Sequence, residues 1–298
     1  MISIFSYLEI AALTGEPVLI YGETGTGKDL IARAVHDASG RRGKYVTVNT
    51  AGIDDHSFSD TLFGHRRGAF TGASEDRQGL LYQAGDGTIM LDEIGDLSAE
   101  SQIKLLRLID HGEYYPLGSD SVCYSNAGII AVANRDLKLM VAENLFRADL
   151  YYRLCTHAVE IPPLRRRPED LPLLVSFFLP QLSSDQLSGI VEILRTYSFP
   201  GNVRELRSLL IDASERSSLG GSVSAELSKR LKAASECFSP AGSGADIKFP
   251  TIDEAVELLI VQALERTGGN QTAAAGLLGI SKQALSRRIA KLRLNPHQ

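Results

Sequence analysis

From residue 1 to about 165 the chain alternates short apolar runs with longer stretches in which apolar positions recur every three or four residues. PVLIYG, YVTVN, GTIMLDE and AGIIAVAN have strand length, whereas KDLIARAVHDA and AESQIKLLRLIDHG carry the helical period. Strands alternating with helices predict an α/β unit, a parallel sheet covered by helices. After IPPLRRRPEDLP only the helical pattern continues, through SGIVEILRTYS and NVRELRSLLIDASERS, so a smaller helical subdomain is expected over 166–235. Residues 236–250, ECFSPAGSGADIKFP, have the composition of a flexible linker. Thr251-Ile252-Asp253-Glu254 then has the form of a capping box, opening a helix with Val256, Leu259, Ile260, Ala263 and Leu264 along one face. A small all-α unit over 251–298 closes the chain.

Composition narrows the classes. With 298 residues, 44% hydrophobic and 22% charged, the chain can bury more than one core and is not a disordered protein. A formal net charge of -5 excludes a polycation, so any nucleic-acid contact must come from a local basic patch. Cys123, Cys155 and Cys237 are odd in number and lack paired spacing, which suits reduced thiols. No basic start with a cleavage signature and no run of about eighteen apolar residues is present, so a cytoplasmic protein is expected.

The densest chemistry follows the first strand. Gly22-Glu23-Thr24-Gly25-Thr26-Gly27-Lys28-Asp29 lies between an apolar run and an amphipathic helix, the setting of a phosphate-binding loop. Backbone N–H groups at the helix start cradle phosphate oxygens there, and Lys28 reaches the β and γ phosphates as a point charge. Asp29 stands where most such loops carry a hydroxyl for magnesium. Its carboxylate could hold a metal-bound water, or leave the metal to Asp92. GTIMLDE supplies Asp92 as the metal-orienting acid and Glu93 as the group that polarises an attacking water, so ATP hydrolysis with Mg2+ is expected.

Two further stretches ask for partners. Gly68-Ala69-Phe70-Thr71-Gly72-Ala73 sets a Phe between glycines with no surrounding apolar period, which predicts a mobile tip with an exposed Phe; an ordinary surface turn is the alternative. His65 beside it has no ligand-spaced partner and reads as structural or solvent-exposed. Near the C-terminus, GGNQTAAAGLLGISKQALSRRIAKLRL contains a small-residue helix, a turn at Gly279-Ile280 and a second helix capped by Ser281. Leu285, Ile289 and Leu292 face inward, leaving Lys282, Gln283, Ser286, Arg287 and Arg288 outside, and no acid interrupts the segment. DNA binding is expected from this contrast with an acidic chain.

GETGTGKDLIARAVH, LFGHRRGAFTGA, GTIMLDEIGDL, QIKLLRLID, VANRDL, FRADLYYRL, PPLRRRPEDLP and FPGNVREL occur in this order, and from about residue 8 onward the chain resembles the sigma-54-dependent bacterial transcription activators of the AAA+ ATPase class. The resemblance implies an AAA+ α/β subdomain over 1–165, a helical lid over 166–235 and a Fis-type helix-turn-helix over 251–298. It implies that Gly68–Ala73 touches sigma-54, with Phe70 and Thr71 in contact. Asn49 is implied to hold the catalytic glutamate, Asn134 to be the first sensor and Arg204 the second. Arg147 and Arg153 are implied to reach the nucleotide of a neighbouring subunit in a ring, usually a hexamer. Implied partners are the sigma-54 RNA polymerase holoenzyme and enhancer-like DNA sites. The first methionine falls inside the ATPase domain, so no N-terminal regulatory domain is expected. A general AAA+ remodeller and a DNA-binding regulator with an inactive ATPase are the other readings.

Overall fold

The computed structural model describes residues 1–217, 222–238 and 252–293. Two compact units divide at Ala233 and Ala234.

The first unit opens with α1 (Ile2–Thr14), stopped by Gly15 in the left-handed region at φ 77°. There follow β1 (Val18–Tyr21), α2 (Lys28–Ala38), β2 (Tyr45–Asn49), α3 (Asp55–Phe63), β3 (Gly64–His65), β4 (Arg77–Gln78) and α4 (Leu80–Ala84). Then come β5 (Thr88–Asp92), α5 (Ala99–His111), β6 (Glu113–Tyr114), β7 (Cys123–Tyr124), β8 (Gly128–Ala133), α6 (Leu137–Ala142), α7 (Ala148–Leu154) and β9 (His157–Glu160). The main sheet runs β2-β5-β8-β1-β9 and is parallel throughout, as the alternation of strand and helix patterns requires. In register, Asn49 lies opposite Asp92, and Tyr21 lies between Ala133 and Glu160. The ends of β1, β2, β5 and β8 therefore bring the expected chemistry to one edge of the sheet, where ligands of open α/β folds bind.

Both faces of the sheet are covered, which explains why its inner strands β1, β5 and β8 read as nearly unbroken apolar runs. Leu19, Leu91 and Ala131 pack against Phe58, Leu62, Leu105 and Leu150 on one side. Val18, Ile20, Met90 and Ile130 meet Ile31, Val35, Leu8 and Ala11 on the other. The helical subdomain, α8 (Leu171–Phe178), α9 (Ser184–Leu194), α10 (Asn202–Ser217) and α11 (Val223–Phe238), has its own core around Val175, Leu194, Phe199 and Leu206. Ser183 and Gln186 form a capping box at the start of α9.

The second unit contains α12 (Ile252–Arg266), α13 (Gln271–Leu277) and α14 (Lys282–Arg293), closed around Ile260, Ala263, Ala274, Ala275 and Leu285. Two expectations change here, and others fall outside the described residues. Residues 236–238 belong to α11 rather than to a linker, and 239–250 lie outside the described residues. Thr251, the expected cap of α12, also lies outside them. Leu259, expected on the apolar face, is exposed. Among the described residues no helix is long and apolar enough to cross a membrane.

Candidate functional site

The phosphate loop joins β1 to α2. Lys28 opens α2 with its side chain buried, and its Nζ donates to the carbonyls of Gly22 (2.8 Å) and Glu23 (2.9 Å). Burial pushes the Lys28 amine down, while the carboxylates of Asp92 and Asp29 act the other way. The Thr26 hydroxyl donates to the Glu23 carbonyl (2.8 Å), closing the loop on itself.

At the end of β5, burial pushes the Asp92 carboxyl up, and the Asp29 charge adds to the effect. Asp29, Asn49 and Asp92 line one cavity of about 320 Å³ with Arg33 and Tyr45. A carboxyl raised by burial, with a second carboxylate in the same cavity, suits a hard cation with oxygen ligands. Asp92 Oδ1 accepts from the Glu93 N–H (2.9 Å). Glu93 itself adopts φ 57°, a left-handed backbone uncommon outside glycine and often found at functional positions. Thr50, fully buried, fixes this turn: its hydroxyl donates to the carbonyls of Asp92 (2.9 Å) and Glu93 (2.8 Å).

Glu93 Oε1 accepts from Asn134 Nδ2 (3.1 Å), whereas Asn49 Oδ1 accepts from the Ala51 N–H (2.9 Å). The side chain that holds the glutamate is thus Asn134, from the end of β8, and not Asn49. Although Asn49 is in register with Asp92, its short amide closes its own turn. Thr24, Glu93, Asn134 and Arg135 line a second cavity of about 200 Å³.

A polar network fastens the helical subdomain to the loop. Arg165 makes two hydrogen bonds to Glu23 (2.8 and 2.5 Å), and Asn202 Nδ2 donates to Glu23 Oε2 and to the Thr24 carbonyl (both 3.1 Å). The Arg165 hydrogen bonds, then that of Asn202, take the Glu23 carboxyl from its ordinary 4.5 down to about 2. Asn202 is fully buried at φ 53° and accepts from the Leu164 N–H (2.8 Å). Arg167 donates to the Thr26 carbonyl (2.8 Å), and Val203 and Arg204 present their N–H groups to the Gly25 carbonyl (2.9 and 3.3 Å). Arg204 stands close enough to Lys28 that its charge also depresses the amine. Sequence reasoning singled out Arg204 but missed Asn202, Arg165, Arg167 and Thr50. The one local signal was Pro-Gly-Asn, a turn tripeptide whose Asn tolerates left-handed backbone.

Arg147 and Arg153 lie on α7 or at its cap, in pairs within the same chain. Arg147 clasps Asp149 (3.1 and 2.7 Å), and Arg153 lies 2.9 Å from Asp110 and 3.6 Å from Glu16. Neither is among the residues bonded to the phosphate loop.

The Phe70 loop departs most from expectation. Phe70 is half-buried rather than exposed, with its ring against the imidazoles of His56 and His65. Gly68, Thr71 and Gly72 are exposed, Ala69 is half-buried and Ala73 is buried.

In the second unit Asn270 caps α13 and Gly279, at φ 64°, makes the turn. Ser281 Oγ accepts from the Ala284 N–H (3.2 Å), as a cap should. Lys282, Gln283, Ser286, Arg287 and Arg288 are exposed, Leu285 is buried and Ile289 packs beside it. The Ser286 hydroxyl donates to Gln271 on α13 (3.3 Å). The Leu292 side chain lies outside the described residues.

A parallel sheet with a phosphate loop after β1, an acid pair after β5 and a helical lid bonded to that loop defines an AAA+ ATPase fold. The chain belongs to the sigma-54 interaction domain family, whose model matches residues 1–160. The AAA+ ATPase lid domain matches 165–236, and the bacterial regulatory protein, Fis family, matches 258–292. The chain is 39% identical to the transcriptional regulatory protein ZraR of Escherichia coli K12, over 97% of this chain and 66% of that protein. It is 38% identical to the DNA-binding transcriptional regulator NtrC of Azospirillum brasilense, over 96% and 67% respectively. NtrX from Brucella abortus, solved in complex with ADP, superposes with TM-score 0.67 at 29% identity, covering 97% of this chain and 67% of that one. NtrX has also been solved in complex with ATP. The chain spans about two thirds of the length of these relatives.

Proposed function

We propose that the protein activates transcription by sigma-54 RNA polymerase: it binds DNA through α13 and α14 and couples ATP hydrolysis to conversion of the closed promoter complex into the open one. The observation that carries the reading is the meeting of Lys28, Asp92, Glu93 and Asn134 at one edge of the sheet, in a unit that also displays the Gly68–Ala73 loop.

The phosphates of ATP bind at the start of α2, where backbone N–H groups from Gly22 to Asp29 and the Lys28 ammonium supply positive charge. NtrX complexes with ATP and ADP support nucleotide binding by this fold. Lys28 exchanges its two loop carbonyls for phosphate oxygens. Asp92, with Asp29 acting through water, would hold a magnesium ion, which would supply further neutralisation of phosphate charge. Glu93 takes the proton of the attacking water, and Asn134 orients Glu93. Asn49 is free to approach Glu93 only after it leaves Ala51. Arg204 senses the nucleotide from the lid.

Arg147 and Arg153 serve a neighbouring subunit in a ring, which we take to be a hexamer, after leaving Asp149 and Asp110. An arginine supplied in this way is worth on the order of 10³-fold or more in turnover. Phe70 and Thr71 touch sigma-54. Lys282, Gln283, Arg287 and Arg288 contact DNA, with Ser281 and Ser286 beside them, and paired half-sites are read by dimers.

The test is open-complex formation at a sigma-54 promoter with purified components, comparing ATP with a non-hydrolysable analogue and the parent with Thr71→Ala. Melting that requires hydrolysis and is lost in Thr71→Ala with ATPase intact is the expected result. ATPase without melting points to a general remodeller, and DNA binding without ATPase to a regulator whose ATPase is inactive.

A further inference from the structure

The loop around Phe70 is tied down on every side. Gly68 N–H donates to the Ala73 carbonyl (2.9 Å) and Ala73 N–H to the Phe70 carbonyl (3.0 Å), which makes the tip a closed turn. Asp76 anchors its stem, accepting from the Arg66 guanidinium (2.7 Å) and the Arg67 N–H (2.8 Å). Arg66 N–H also donates to the Leu117 carbonyl (2.9 Å), and Gly118 lies so close to Ala69 that a Cβ on it would come within 2.6 Å of the Ala69 methyl.

Within this turn the Phe70 ring meets His56 with centroids 4.5 Å apart and planes at 85°, and His65 at 4.9 Å and 68°. Both are edge-to-face arrangements, in which the positive rim of one ring meets the negative face of the other. The two imidazoles are not equivalent. His65 is itself fixed, with Nδ1 2.5 Å from Asp60 Oδ1, and Asp60, nearly buried, also pairs with Arg77. Burial works to raise the Asp60 carboxyl, but its interactions with His65 and Arg77 leave it below the ordinary value. His56 sits exposed in the first turn of α3.

We propose that His56 and His65 are positioning residues, an aromatic latch that stows Phe70 on the face of the domain, so that Phe70 reaches a protein partner only when both ring pairings break. The inference rests on the reading of Phe70 as the partner-touching side chain, but the latch can be tested without a partner. Removing either imidazole moves the balance between stowed and presented Phe70 by about threefold to tenfold.

The chain contains no Trp, so Phe70→Trp in the full protein places a single indole at the tip. Acrylamide quenching is measured for this variant and for its combinations with His56→Ala and with His65→Asn, which drops the ring but keeps a hydrogen-bonding amide toward Asp60. ATPase and melting temperature of His56→Ala and His65→Asn are read in the Phe70 background. The latch predicts that the quenching constant rises about threefold in either combination, with ATPase unchanged. Equal quenching in all three proteins, whether uniformly low or uniformly high, overturns it. Should His65→Asn lower the melting temperature, His56→Ala decides alone, because His56 is exposed. If quenching rises but Thr71→Ala still opens promoters, the latch stands and the partner reading fails; the reverse pattern removes the latch and leaves the partner reading.

Discussion

The phosphate loop and the Phe70 loop both turn on glycines with left-handed backbone, but different things require those glycines. At Gly25, φ +78°, a Cβ would overlap the Gly201 carbonyl and come within 3.1 Å of Arg204 Cβ, so the lid itself forbids a side chain. At Gly68 and Gly72, φ +82° and +105°, nothing lies within 4 Å of an added Cβ, and only the torsion asks for glycine. The first loop is moulded by backbone pressed against it. The second leaves open space at Gly68 and Gly72 and is held instead by its own turn hydrogen bonds, by Leu117 and Gly118 beside it and by the two imidazoles, as suits a loop that must hold one shape until it is released.

The contrast can be broken or sharpened by substitution. Removing the phosphate-facing charge has the largest expected effect: Lys28→Ala lowers ATP turnover on the order of 10³-fold in a steady-state assay with the melting temperature nearly unchanged. Gly25→Ala disturbs the loop by pushing on the lid and costs about 10²-fold in turnover, read in the same assay. Asn202→Ala leaves the buried Leu164 N–H without its acceptor and costs about 1–3 kcal/mol, measured from the urea midpoint. Gly68→Ala meets only the torsional penalty, about 1 kcal/mol, and leaves ATPase intact. Were Gly68→Ala as damaging to ATPase as Gly25→Ala, the distinction between the loops would fail.

The smallest effect concerns the tie between Glu23 and Arg165. The Glu23 carboxyl falls from 4.5 to about 2 on folding. It therefore adds stability above pH 4.5 that is lost as pH falls through about 2. Solvent screening at this exposed pair keeps the contribution small. Urea midpoints at about pH 6 and about pH 3 should differ slightly more in the parent than in Glu23→Gln.

Much of the nucleotide edge was legible in the residues because its parts are contiguous: a strand-length apolar run, glycines and Lys28, then a second run ending in Asp92 and Glu93. The interactions that join distant segments were not. No periodic rule connects Glu23 to Arg165 and Asn202, or sets the imidazoles of His56 and His65 against Phe70, so Phe70 reads as exposed. Asn49 and Asn134 both end strands of the same sheet, and only the geometry separates the one bonded to Glu93 from the one bonded to Ala51. The first helix also escapes pattern reading, because Ile10 and Leu13 stay exposed while Leu8, Ala11 and Ala12 are buried, leaving no polar face to mark a period. In the second unit the inward residues Leu285 and Ile289 follow the helical period, and Leu259 is the exception.

The β3-β4 ladder has a consequence for inheritance. Gly64 pairs with Gln78, so the chain leaves the body of the domain and returns to it at one point. At this neck Gly64 and Gly79 pass so near the opposing backbone that a Cβ on either would overlap it. What lies between is a projection on one narrow stem, propped by a few contacts at Leu117, Gly118 and His56. Its chemistry can be recast, by evolution or by grafting, provided those props are matched, while the strands of the main sheet keep their places.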